Sequence, residues 1–79
     1  MKFRIYNTFD SGENFELGDY PTIEEARTAV LEDMKGEEEF LKEAGMTEIV
    51  LDKKNYTIQF KNARGHIKHW LWGAEPVRD

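Results

Sequence analysis

Both histidines and both tryptophans of the chain fall in one short run, GHIKHWLW at 65–72. Imidazole beside indole and lysine offers three chemistries: metal ligation, stacking on a nucleobase, or a protein contact. Spacing decides the first. His66 and His69 are three apart, so a helix would place them on one face and a strand on opposite faces. The run is rich in Trp and Ile and follows a glycine, which predicts a strand. The pair then cannot share a metal, and the chain has no cysteine or third histidine to complete a zinc site. No metal and no cofactor is expected. His69 shares parity with Ile67 and Leu71 and is expected to be partly buried and hydrogen-bonded.

Other reactive groups are sparse. Ser11 is the one serine, and it sits in the turn signal DSG at 10–12 with no base beside it. There is no GxGxxG and no P-loop. Carboxylates are plentiful, but paired-carboxylate chemistry needs a cleft, which a domain of this size with one helix layer offers poorly. The expectation is a protein that is not an enzyme.

Two surfaces remain as candidates, and the elements that carry them can be read from periodicity. Residues from Lys2 to Phe9 alternate, with Phe3, Ile5 and Phe9 on one parity and Lys2, Arg4 and Tyr6 on the other, which predicts a half-buried strand. Phe15 and Leu17 continue the alternation after the turn. TIEE at 22–25 is a capping box, and Ile23, Ala26, Val30 and Met34 recur at helical spacing behind it. The spacing predicts a helix over 22–35, a kink or break near Gly36, and a further turn or two to Ala44. Gly45 is placed as a C-cap glycine with Met46 supplying the apolar contact.

Three more alternating segments follow: Thr47 to Asp52, Tyr56 to Lys61, and His66 to Trp72, separated by DKKN and NARG turns. Gly73 onward reads as a frayed tail, since Pro76 stops a ladder. The order ββαβββ predicts an α+β fold: an antiparallel sheet of about five strands with the helix on one face. Phe3, Ile5, Phe15, Leu17, Ile49, Leu51, Tyr56, Ile58 and Phe60 are expected to face the helix.

Seventy-nine residues make one small domain spanning 1–79, without internal repeat or linker. Two Trp, three Tyr and five Phe are enough aromatic area for one core despite the 34% charged content. Absence of cysteine, of an apolar leader and of any long apolar stretch leads to the expectation of a cytoplasmic protein with no membrane partner.

The first candidate surface is acidic. Thr22 to Gly45 holds eight carboxylates and three bases, so the whole net charge of −5 lies on the helical segment. Glu24 and Glu25 suit a helix N-terminus. Glu37, Glu38, Glu39 and Glu43 have less local justification. Glu38 can pair with Lys42, but Asp33 with Glu37 and Glu39 with Glu43 are like charges at i,i+4. The second surface is the outer sheet face. Continued parity would place Arg4, Tyr6, Lys68, Trp70 and Trp72 there, a mixture of base and aromatic suited to single strands of nucleic acid. Two indoles side by side should be covered by a second copy, a partner or the tail. The opposite parity would put them beneath the helix.

These surfaces point to a non-enzymatic protein-binding module, a small acidic inhibitor or regulatory accessory protein acting on a nucleic-acid-handling partner, with a homodimer as a further option. Single-stranded nucleic-acid binding through the sheet is the alternative.

Overall fold

The computed structural model describes residues 1–78. Strands β1 (Lys2–Thr8) and β2 (Asn14–Tyr20) form a hairpin, helix α1 (Ile23–Glu43) follows, and β3 (Thr47–Asp52), β4 (Thr57–Lys61) and β5 (Ile67–Val77) complete the chain. All neighbours are antiparallel, and the five strands form one sheet in the order β2-β1-β5-β4-β3. The helix covers one face, as the α+β order requires.

The helix ends follow local chemistry. The Thr22 hydroxyl accepts from the Glu25 amide at 3.2 Å. At the other end Gly45 takes φ +85, its amide reaches the Lys42 carbonyl at 3.1 Å, and the Met46 amide reaches the Leu41 carbonyl at 3.0 Å. That pair of bonds is the Schellman closure. Between the ends the helix runs unbroken for 21 residues. The expected interruption at Gly36 is absent. A solvent-facing glycine costs about 1 kcal/mol relative to Ala, and the buried residues on either side outweigh it.

Ala26, Val30, Met34 and Leu41 meet Ile5, Ile58, Phe60 and Trp72 in the core. Trp72, only 3% exposed, lies beneath the helix, with its Nε1–H donating to Asp33 at 2.7 Å. This corrects the outward assignment of the tryptophans. With Trp72 inward, Lys68 and Trp70 also face the helix side, opposite Phe60 and Ile58. Ile67 and Leu71 turn outward and are 48% and 45% exposed. His69 goes with them to the open face, where Nε2 meets Gln59 Oε1 at 2.9 Å; it is not a core residue.

A second correction concerns the tail. β5 continues to Val77, and Gly73 to Val77 pair with Tyr6 back to Lys2. Pro76 is tolerated because β4 pairs only with Ile67 to Leu71, so the later part of β5 has a free side where a missing N–H is not felt. Phe15 and Leu17 are the third departure. They were expected under the helix but are 43% and 38% exposed, since the helix leaves the distal half of β2 uncovered.

The indole–carboxylate bond is expected to contribute measurably beyond packing. In urea denaturation, Trp72→Phe and Asp33→Ala should each destabilise by about 1–3 kcal/mol, with strong coupling in the double-mutant cycle. Trp72→Ala should cost ~3–5 kcal/mol.

Candidate functional site

The proposed sheet-face group is not brought together. Arg4 and Tyr6 lie on the open face, while Lys68 and Trp70 lie on the helix side and Trp72 is in the core. Arg4 is also engaged: its Nε donates to Asp19 at 2.8 Å, its Nη2 reaches the other oxygen at 3.2 Å, and Glu16 stands 3.8 Å away. The hydrogen bond to Asp19, with its charge, raises the guanidinium pKa, and the same bond holds the Asp19 carboxyl below its usual range. Tyr6 lies across Gly73, where an added Cβ would sit 2.5 Å from the Tyr6 hydroxyl oxygen. Lys61 is paired with Glu48 at 3.5 Å. The open face is thus an ion-paired surface with exposed Val50, Ile67 and Leu71 set into it.

The acidic segment divides by helical geometry. Glu38 pairs with Lys42 at 3.8 Å and turns toward β3, where Leu31, Glu32, Met34, Lys35, Leu51 and Lys53 line a groove of about 500 Å³ with it. Both signs of charge meet there. The other flank faces the hairpin, where Ala29 and Tyr20 line one groove, and on the same flank Asp33 reaches down to Trp72 of β5. Residues 25, 29, 32, 36, 39 and 43 form a stripe at alternating four- and three-residue spacing along the solvent side of the helix, between the two flanks, and Glu32 borders the grooves on both sides. Four of the six are glutamates, Glu25, Glu32, Glu39 and Glu43, all exposed, and none is a base. The carboxylates run along about 27 Å of helix.

Glu37 sits between this stripe and the sheet. It is half-buried, and burial, then the charge of Asp33 one turn away, pushes its carboxyl above the ordinary range. Phe40, on the same flank, is 59% exposed. The helix-side face of the sheet carries an aromatic series that starts at the hairpin and crosses β5 to β4: Phe15 to Phe9 at 5.2 Å, Phe9 stacked on Trp70 at 4.6 Å, and Trp70 edge-on to Phe60 at 5.0 Å. Sequence reading missed this assembly. Its signal was present, as Phe9 and Phe15 flank a turn, but the parity of β5 had to be right for Trp70 to join them.

Among the described residues no group of three or more His, Asp or Glu side chains is placed to hold a metal ion, and no helix is long and apolar enough to cross a membrane. Compared with known proteins, the chain matches no family model, no curated protein and no solved structure.

A carboxyl whose folded pKa is raised stabilises the fold in acid and loses that contribution as pH climbs through the folded value. Glu37→Gln should therefore raise the melting temperature at pH 7. The gain should vanish below about pH 4, where the wild-type group is protonated in both states. Thermal melts at the two pH values check this; an equal gain at both would trace the effect to something other than charge.

Proposed function

We propose that the chain is a non-enzymatic protein-binding module, a small inhibitor or regulatory accessory protein that engages a basic surface through the acidic flank of α1. The observation that carries this reading is the base-free stripe of Glu25, Glu32, Glu39 and Glu43. Arg27, Lys35 and Lys42 lie off the row itself, Lys35 beside Glu32 and Glu39 and Lys42 beside Glu39 on its β3 side. A solvated helix face chosen only for solubility would mix the signs along it. A continuous row of carboxylates on a helix that carries the whole net charge of −5 creates a field that steers a cationic partner and repels nucleic acid and anionic lipid. A partner that handles nucleic acid presents such a basic groove, and carboxylates spaced along the helix would occupy it in place of phosphates.

Single-stranded nucleic-acid binding through the sheet is less well supported. Its motive is base and indole on one face, and Arg4 and Lys61 of that face are ion-paired while the indoles are elsewhere.

The test is a titration with an 18-residue Lys/Ser peptide and, separately, with single- and double-stranded oligonucleotides. The peptide should bind with steep salt dependence and the oligonucleotides should not. Reversing Glu32, Glu39 and Glu43 to Lys should leave folding intact, as exposed substitutions usually cost within about 0.5 kcal/mol, and weaken peptide binding at least tenfold. Reversing Glu16, Glu48 and Glu75 changes net charge equally and should weaken it far less. Equal losses in the two triple variants would reduce the effect to net charge and sink the proposal, as would tight oligonucleotide binding.

A further inference from the structure

Resting on the reading of the acidic flank, we infer that the basic partner inserts an apolar anchor onto the aromatic shelf of Phe9, Phe15 and Trp70, with Phe40 as its helix-side wall. The occupant is a cationic segment of another protein bearing an aliphatic or aromatic side chain.

Topology brings the parts together. Ile23 and Val30 line a pocket with Gly73 and Ala74, and Asp33 sits on Trp72, so the helix runs antiparallel to β5. Phe40 is seven residues past Asp33, about 10.5 Å along the axis. Trp70 precedes Trp72 by two, about 7 Å along the strand in the same direction and on the same face. Phe40 is thereby carried to the Trp70 end of the sheet, on the flank that looks toward the hairpin. The rings step outward from the core: Phe60 is 4% exposed, Trp70 is half-buried against it, and Phe15 at the far end is 43% exposed. Leu17 extends the surface at 38%. A cluster of large apolar side chains open at one end is the composition of contact sites, whose energy is concentrated in aromatic residues.

Charge selects the occupant. Glu37, Glu39 and Glu43 stand on the helix side, and Asp10 and Glu13 lie in the hairpin turn. Asp10 accepts from the His69 amide at 2.7 Å, which fixes the turn against β5. Lys68 is the base that the helix-side face of β5 contributes. A second copy of the chain fits badly, because a two-fold interface sets a surface against itself and would press carboxylates on carboxylates. Anionic lipid is repelled for the same reason.

Two synthetic peptides test the shelf: an 18-residue Lys/Leu peptide with leucine at helical spacing, and the Lys/Ser peptide of equal charge. Affinity is read by calorimetry, and Trp70 by its indole N–H resonance. The Lys/Leu peptide is expected to bind at least tenfold more tightly and to shift the Trp70 resonance, with Trp72 shifted less. Phe15→Ser and Phe40→Ser should each remove most of that advantage and leave Lys/Ser binding unchanged. Thermal melts accompany both variants; should Phe15→Ser unfold, Phe40→Ser, at the more exposed position, carries the comparison. Equal affinity for the two peptides, or an undiminished advantage in both variants, overturns the shelf and leaves the acidic flank standing. Failure of both peptides to bind at moderate salt overturns both readings. Self-association of the wild type that Phe40→Ser abolishes also overturns the inference, by assigning the shelf to a second copy.

Discussion

The bond from Trp72 to Asp33 governs more of this molecule than its single hydrogen bond implies. β5 lies between β1 and β4 in the sheet, pairing with β4 through Ile67 to Leu71 and with β1 through Leu71 to Val77. A strand has period two, so the direction of one side chain sets all the others. Once the indole is under the helix with its N–H satisfied, Trp70 must stand beside Phe9, and Ile67, His69 and Leu71 must face solvent. The helix is fixed by the same contact, because Asp33 holds its middle turn over the centre of β5. Core packing, the aromatic shelf and the emptiness of the open face all follow from that one orientation.

The contact also marks the limit of what could be read from residues alone. Element order, the Thr22 cap, the Gly45 closure and the parities of β1 and β4 were legible, because each is a local pattern. The parity of β5 was not. Ile67 and Leu71 on one side and Trp70 and Trp72 on the other are both apolar, so periodicity gives no preference. What decides is a carboxylate 39 residues away, and sequence spacing does not show that Asp33 is the acceptor. The end of β5 was hidden for a related reason. Gly73 and Pro76 are stop signals in a central strand, but Gly73 is required by the Tyr6 ring lying across it, and Pro76 lies beyond the reach of β4. The acidic segment was legible as charge, whereas the continuous glutamate row along its solvent side needed the helix to be unbroken through Gly36.

The sheet edges narrow how a partner can dock. β2 and β3 are the two edge strands, and each is irregular. The register of β1 with β2 shifts between Ile5 and Tyr6, opposite Gly18 at φ +148. That of β3 with β4 shifts between Thr47 and Val50, where Glu48 takes φ +52. Such bulges break the even ladder that an added strand needs. Recognition by strand addition is disfavoured at both edges. What remains is recognition by side chains on a face, and the faces differ: the open one is cross-linked by Arg4–Asp19, Lys61–Glu48 and His69–Gln59, while the helix side carries the exposed glutamate row and the partly exposed Phe9–Phe15–Trp70 series.

Within that region several local rules are broken together. Carboxylates near a helix C-terminus oppose the macrodipole, yet Glu39 and Glu43 occupy the last turns of α1. Glu37 is held where burial and Asp33 both disfavour its charge. Phe40 leaves a large ring in solvent at the edge of a core that holds Leu41 at 1% exposure. Each is individually unfavourable for folding, and each has a simple remedy in a small domain with little stability to spare: Lys at 43, Gln at 37, a polar residue at 40. At the opposite end of the helix the rules are kept, with Glu24 and Glu25 in the first turn and Thr22 as the cap. Departures from local consistency tend to gather where function outweighs stability. Here they gather in one stretch of seven residues at the C-terminal end of α1, which is the reason for placing the apolar anchor at that end, while the carboxylate row along the rest of the helix supplies charge.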